Sequence, residues 1–299
     1  MRVMAKVYAF PAKSTQKVAK TLEYCLNKSG ITSTGYMGVF NEAIFSNTKY
    51  KWVYYVVEWV LTNTEIDFIN TIPKPVIPAS SFVKFLSRNY RFNAVLHEVP
   101  IEFIEAKSPN NGKRFDFMAI TYSLVRKTPY LTIKFANQTR HKGLVLGDFS
   151  ICNQIKNPNV KCLPFGVQSE SDLKAYYMQS KTFVFLSGNE GFGLPPLEAS
   201  FIGLPVIAYP FMPYLEWHRR DSFTVPEKWL KVEGIYQHGT LHPAVVPTDE
   251  EEVLRFVEDK IGDKPDNDTI ESIHHVREDL AYCKEYEKIV NTLNNLGIK

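Results

Sequence analysis

The chain has 299 residues, long for one domain and comfortable for two. Hydrophobic residues make up 44% and charged residues 22%, a globular composition that excludes wholesale disorder. With 35 basic against 32 acidic residues, the formal net charge of +3 is too small for a dedicated nucleic-acid surface, and no nucleic-acid partner is expected.

Taken in chain order, apolar runs alternate with helical stretches, which predicts an α/β protein with mainly parallel sheets. Val3–Phe10 reads as a strand, and Pro11–Thr15 as a turn in which Ser14 or Thr15 caps a helix running to Lys28. Further strand candidates are Thr32–Phe40, Trp52–Val60, Pro75–Pro78 and Asn93–Val99, with helical segments at Glu65–Asn70 and Ser80–Asn89. Lys107–Lys113 gathers Pro, Asn and Gly with nothing to bury and is the best linker. It separates a first lobe, residues 1–110, from a second, residues 111–280.

The second series opens with strand Phe115–Thr121, helix Pro129–Gln138 and strand Lys142–Leu146. Strand Asn159–Leu163 follows, then helix Ser171–Gln179 behind the capping box Ser169-x-x-Asp172. Strand Thr182–Leu186, a glycine-bearing loop, helix Pro195–Ile202 with Gly203 as its C-cap, and strand Leu204–Tyr209 complete the pattern. A second capping box, Thr248-x-x-Glu251, predicts a helix to Ile261. Apolar residues from Ile270 to Leu293 recur at helical spacing, and the final helix, residues 281–299, is expected to pack back onto the first lobe.

Four cysteines (Cys25, Cys152, Cys162, Cys283) lie far apart without a C-x-x-C pair. They predict neither a zinc site nor a disulfide framework and suit a reducing compartment. Trp52–Leu61 is broken by Glu58 and is half the length a bilayer needs. Lys6 interrupts the first apolar run and no small-residue cleavage site follows, so no signal peptide is expected. The expected location is cytoplasmic.

The segment Ser187-Gly188-Asn189-Glu190-Gly191-Phe192-Gly193-Leu194-Pro195-Pro196-Leu197-Glu198-Ala199 carries the chemistry. A buried strand ends before it and a helix begins at Pro195, while Gly191 and Gly193 permit positive φ and close backbone approach. Backbone amides converging at a helix N-terminus suit a phosphate or a sugar oxygen, and open α/β sheets bind ligands at the carboxyl ends of their strands. Glu190 sits in the loop. Glu198 sits about one turn into the helix, where a carboxylate can accept two hydrogen bonds from a vicinal diol. The alternative reading is structural: Glu198 favours the helix dipole and the glycines only turn the chain.

Glu190 and Glu198, spaced E-x7-E within E-G-F-G-L-P-P-L-E-A and followed by Gly203-Leu204-Pro205-Val206-Ile207, resemble the donor-site signature of group 1 retaining glycosyltransferases with the GT-B fold. Phe115–Thr121 with Arg126-Lys127 is similar to that family's first strand and basic pair in the second lobe. Asn159–Gly166 and Ser171–Leu186 resemble its next strands and loop. The resemblance implies two Rossmann-like doubly wound lobes facing a cleft, here with a shortened N-terminal acceptor-side lobe and a C-terminal donor-binding lobe. It implies a nucleotide-sugar-dependent hexosyltransferase acting with retention and without a metal or other cofactor. The co-substrate would be a nucleotide-diphosphate sugar, and the acceptor a glycan, lipid or protein.

By the same resemblance Glu198 would hold the ribose, and Glu190 would bind donor-sugar hydroxyls near the anomeric carbon. The amides of Gly191, Phe192, Gly193 and Leu194 would meet the sugar and diphosphate. Lys127, with Arg126, would stabilise the leaving diphosphate. Phe165 and Gly166 would lie near the base. Where relatives carry an arginine before this lysine the chain reads Thr121-Tyr122-Ser123, and its opening loop lacks their glycine pair. Lys13 and Ser14 at a capped helix N-terminus are the substitute candidates there, and His97 is either a cleft residue or structural. A non-catalytic nucleotide-sugar or glycan-binding protein, and a nucleotide-sugar epimerase, are the alternative functions.

Asp266-Asn267-Asp268, formally D-x-D, is better read as a helix cap than as a metal site. His218-Arg219-Arg220 and His274-His275 read as solvated surface. Residues 82–92 mix bases with aromatics; a helix buried in its own lobe is favoured over peripheral contact with an anionic membrane.

Overall fold

The computed structural model describes residues 4–9, 11–38, 42–56, 62–79, 94–108, 112–211, 214–237 and 239–298. Contacts divide the chain into Met1–Ile104 with Val276–Lys299, the first unit, and Glu105–His275, the second. The proposed membrane-contact segment 82–92 and the helix Ser80–Asn89 lie outside the described residues.

In the first unit β1 (Lys6–Ala9), β2 (Thr34–Gly38), β3 (Trp52–Tyr55) and β4 (Val76–Pro78) form a parallel sheet in the order β1-β2-β3-β4. Trp52, Val53, Tyr54 and Tyr55 are all fully buried, as a strand covered on both faces requires. Helix α1 (Lys13–Lys28) turns Val18, Ala19, Leu22, Cys25 and Leu26 inward at helical spacing. Short helices α2 (Glu42–Ser46), α3 (Asn63–Thr71) and α4 (Ile101–Glu105) complete this part, with a capping box between Thr62 and Glu65 starting α3.

The second unit orders its parallel sheet β7-β6-β5-β8-β9, with strands β5 (Phe115–Ile120), β6 (Gly143–Gly147), β7 (Val160–Pro164), β8 (Ser180–Phe185) and β9 (Val206–Ala208). Its helices are α5 (Pro129–Gln138), α6 (Phe149–Cys152), α7 (Glu170–Met178), α8 (Leu194–Ile202) and α9 (Glu250–Lys260). The first strand in sequence is central, and the order reverses between β5 and β8, the arrangement of a doubly wound sheet. Phe117, Met118, Ala119, Phe183 and Val184 are buried to 1% exposure or less. Each large apolar side chain so buried contributes about 1.5–3 kcal/mol. An antiparallel hairpin, β10 (Leu230–Gln237) and β11 (Thr240–Pro247), stands apart from this sheet. Helix α10 (Asn267–Asp279) begins in the second unit and ends in the first, to which α11 (Glu287–Asn295) belongs.

Several expectations are corrected. Ser14 and Thr15 do not cap α1: the helix starts at Lys13, Ala12 is its N-cap, and the Thr15 hydroxyl donates back to the Ala12 carbonyl (2.8 Å). Lys13 and Ser14 are therefore exposed first-turn residues without a side-chain cap beside them. Residues 94–99 form no strand: Val95 donates to Pro78 O at the end of β4, but Leu96 donates to the Glu285 carboxylate and Val99 to Leu280 O, so no ladder continues. Helix α9 is capped by Asp249 and not Thr248, whose own amide is held by Trp229 O (2.7 Å) at the end of the extended chain.

The cysteines form two disulfides, Cys25–Cys283 and Cys152–Cys162, against the expectation of free thiols. Sequence distance concealed the first pair, since the fold brings residues 258 apart to a Cα separation of 5.4 Å. The C-terminal segment is two helices and not one, broken where Tyr282 and Cys283 are left-handed (φ +60° and +73°). The buried Glu98 carboxylate accepts the amides of Cys283 (2.7 Å) and Tyr286 (2.8 Å), which a continuous helix would have given to its own carbonyls. Asp266 caps α10, accepting the Thr269 amide and hydroxyl. His218 is buried, contrary to the surface reading; it stacks on Tyr214 and its Nε2 lies 3.0 Å from Asp221.

Candidate functional site

Ligands of doubly wound sheets bind where the strand order reverses, beyond the carboxyl ends of the two diverging strands. Here those strands are β5 and β8. The connection after β5 supplies Tyr122, Arg126 and Lys127; the connection after β8 supplies Ser187–Gly193. Two stretches 60 residues apart in sequence thus meet because the topology places their strands side by side.

After β5 the chain makes a 3-10 turn, Val125–Lys127, then enters α5 through Thr128. Thr128 is left-handed (φ +49°), a conformation that costs a β-branched residue about 1–3 kcal/mol. Its hydroxyl donates to Leu186 O (2.8 Å), so the strained turn is fastened to the end of β8. Arg126 and Lys127 are both buried. The Lys127 ammonium pairs with the Glu190 carboxylate, and Ser187 Oγ donates to the other oxygen of Glu190 (2.6 Å). Arg126 Nη1 donates to Asn189 Oδ1 (2.6 Å).

Gly193 is the left-handed N-cap of α8 (φ +90°), followed at once by Leu194, Pro195 and Pro196. The two prolines lack an N–H, so the backbone donors of this helix end are the amides of Gly191, Phe192, Gly193 and Leu194. The Phe192 side chain is buried and stacks on Trp217, which leaves its backbone as the part able to serve a ligand. Glu198, 3% exposed, accepts from the Tyr177 hydroxyl (3.3 Å), which also donates to Pro195 O (3.1 Å).

Tyr122 was not singled out by the sequence, although its place directly after the first strand of the sheet is the signal that would have found it. Burial raises its hydroxyl pKa well above the usual value, and the nearby carboxylates of Glu190 and Glu198 raise it further. The Tyr122 ring meets Phe165 edge-to-face, with centroids 4.9 Å apart. Phe165 follows β7, and Gly166 beside it is left-handed (φ +92°). Asp148, the N-cap of α6, accepts the Ser123 amide (2.7 Å) and so pins the turn that carries Tyr122; burial opposes its ionisation, but this bond and those from Ser150 and Ile151 hold it well below the usual carboxylate range.

The hairpin β10–β11 was also missed. Its period-2 alternation on either side of Gly239 was the available signal. Val245 N donates to Gly188 O (2.7 Å), and Asn189 Nδ2 donates to Pro243 O (2.8 Å). A Cβ on Gly188 would lie 2.7 Å from Val245 O, so this close approach requires glycine. A pocket of about 500 Å³ lies between the hairpin and the 3-10 turn, lined in part by Val125, Tyr130, Glu233 and Ile235; Arg126, Lys127 and Glu190 do not line it.

Lys13, Ser14 and His97 belong to the first unit and are not brought together there. His97 is buried, its Nδ1 2.8 Å from the Tyr54 hydroxyl, and burial pushes its pKa down to about 3. Among the described residues, the group spaced like metal ligands is Cys25, Glu98 and Cys283, in the first unit, and its two sulfurs are bonded to each other. No helix among the described residues is long and apolar enough to cross a membrane.

Residues 147–222 match the family model for glycosyl transferases group 1. That segment contains Glu190 and Glu198 and begins after Arg126 and Lys127. No curated protein matches the chain. Among solved structures, a sucrose-phosphate synthase from Thermosynechococcus elongatus aligns with a TM-score of 0.63 at 11% identity, covering 96% of this chain and 80% of its own. The Anabaena protein HepE, in complex with UDP-glucose, gives 0.60 at 13% identity over 93% and 82%. The lipopolysaccharide outer core galactosyltransferase WaaB gives 0.58 at 10% identity over 99% and 100%. The fold is that of the GT-B glycosyltransferases.

Proposed function

We propose, from a chain with the GT-B fold and a group 1 glycosyl transferase segment, that the protein moves a hexose-type sugar from a nucleotide-diphosphate donor to an acceptor, with retention of anomeric configuration and without a metal. The second unit is the donor-binding half and the first unit serves the acceptor. The observation that carries this reading is the nearly enclosed Lys127–Glu190 pair at the point where the sheet order reverses.

Buried ion pairs cost desolvation that their attraction barely repays, so one placed at a ligand-binding position favours a chemical role. An ammonium has three N–H donors, and pairing with Glu190 leaves others for the leaving diphosphate as its charge develops. Glu190, oriented by Ser187, accepts from donor-sugar hydroxyls. Glu198, oriented by Tyr177, accepts from the ribose diol. The Gly191–Leu194 amides take sugar and phosphate oxygens, and Phe165 offers an apolar face to the base.

HepE in complex with UDP-glucose makes UDP-sugars the first donors to test. Incubation with UDP-, GDP- and ADP-sugars without added metal should give saturable binding of one donor class and slow release of its nucleoside diphosphate. Binding without turnover, even with candidate acceptors, would favour a binding protein. No binding of any nucleotide sugar would refute the assignment.

A further inference from the structure

Arg126 is 8% exposed, and a guanidinium so enclosed takes its direction from whatever accepts its N–H groups. Its Nη1 donates to Asn189 Oδ1 at 2.6 Å and more weakly to Asn189 O at 3.4 Å. The Asn189 amide is held at both ends. Pro243 O can only accept, so it must face the amide nitrogen, 2.8 Å away, and the amide oxygen is left to face Arg126. The hairpin also meets the backbone on either side of this contact. Gln237 Oε1 accepts from Arg126 N (3.4 Å), and Val245 N donates to Gly188 O (2.7 Å).

From this chain of contacts we infer that Asn189 is a positioning residue for Arg126, anchored by the β10–β11 hairpin, and that it holds the guanidinium against the donor's diphosphate. The inference rests on the donor-site reading above. Asn189 itself touches no substrate. Its carboxamide acts as a spacer of fixed length between a hairpin carbonyl and a catalytic-side cation. The hairpin thereby joins the donor site through the Pro243 carbonyl and the Gln237 side chain.

The test is a double-mutant cycle on the full chain, with Arg126→Ala, Asn189→Ala and the pair, each checked for a parent-like melting transition. Affinity is read by titration with UDP, GDP, ADP and the corresponding nucleosides. Asn189→Ala should weaken binding of the cognate nucleoside diphosphate about fivefold to tenfold, while nucleoside affinity changes less than twofold. In the Arg126→Ala background, removing Asn189 should add less than twofold, because contacting residues that act through one another are not additive. If Asn189→Ala does not fold, Asn189→Ser serves, being too short to reach the guanidinium. Parent-like diphosphate affinity in Asn189→Ala, or a loss of equal size with and without Arg126, would overturn the positioning role and leave the donor site standing. Failure of the parent to bind any nucleotide would overturn both.

Discussion

The two units bury ionisable groups for different ends. In the second unit, Lys127, Arg126 and Glu198 are buried and Glu190 is half-buried at the reversal of the sheet order, and the contacts described for them run to one another, to side-chain amides and hydroxyls and to the Asn189 carbonyl. In the first unit the described sheet runs in sequence order, β1 to β4, with no reversal. Its buried Glu98 is satisfied by backbone amides, and its buried His97 lies against Tyr54. A charge answered by backbone amides is committed to the fold, because releasing it would leave those amides unpaired. A charge answered by movable side chains can exchange partners with a ligand. On the proposed reading the second unit's group is of the exchangeable kind, and Glu98 of the committed kind.

The largest effect tests what the first unit's charges and crosslink are for. Replacing Cys25 and Cys283 together by alanine should cost about 5 kcal/mol of stability, against about 3 kcal/mol for Cys152 with Cys162, because the first bridge closes a far longer loop. Denaturant melts of the oxidised variants measure this. Equal losses would mean that loop closure is not what the long bridge contributes. Neither pair should change nucleotide affinity, since neither touches the site.

Next in size is Lys127→Ala, expected to lower kcat about 10²–10³-fold, the usual cost of removing a preorganised group from developing charge. Its donor affinity should fall much less. A parent-like kcat would place the Lys127–Glu190 pair with Glu98, among the groups that only hold the fold. Glu198→Gln should instead act on binding, weakening the donor by about tenfold to a hundredfold through the loss of charge-assisted bonds worth about 1.5–3 kcal/mol. Comparing the complete donor with its 2′,3′-dideoxyribose analogue gives the check, since the variant should no longer distinguish them.

The smallest effect is a pH signature confined to the first unit. Burial lifts Glu98 to about 7 from an ordinary 4.5, although the amides it accepts pull the other way. Folded Glu98 therefore keeps a proton that the unfolded chain has lost, and its contribution to stability falls as pH rises from 4.5 to 7. His97 has the opposite sign. Its unfolded ring binds a proton below 6.5 that the buried ring refuses until about 3, so stability falls as pH drops. Between 4.5 and 6.5 the two oppose each other. Glu98→Gln should unmask His97, so that melting temperature falls from pH 6.5 downward more steeply than in the parent. Superimposable melting profiles would show that Glu98 does not titrate in this range.

The second unit was the more legible in sequence, for physical reasons. Its strands are near-continuous apolar runs between turns, and Pro129–Gln138 and the Ser169–Asp172 capping box fall where propensity and capping place them. The turn before Pro195 was legible as local structure, because Gly193 does take positive φ and the prolines fall in the first turn of α8. What escaped was held by long-range contact. Cys25 meets Cys283, Asn189 meets Pro243, and the amides of Leu96 and Val99 go to Glu285 and Leu280 in the C-terminal segment, none of which local periodicity records. The hairpin escaped although its alternation was present, because most of β10 faces solvent and its apolar signal is weak. His218 escaped because the two arginines after it suggested surface, while its ring packs against Tyr214 and Asp221.

The most direct test of the donor-site assignment is backbone hydrogen exchange of the full chain with and without a saturating nucleoside diphosphate sugar. The expected result is slowed exchange in residues 121–128 and 187–198, with the amides of Gly191, Phe192, Gly193 and Leu194 most affected and the amides held by Glu98 unchanged. Protection that instead appeared only in the first unit, for example around Ser33 and Lys51, or no protection with any nucleotide sugar, would contradict a donor site at the β5–β8 reversal.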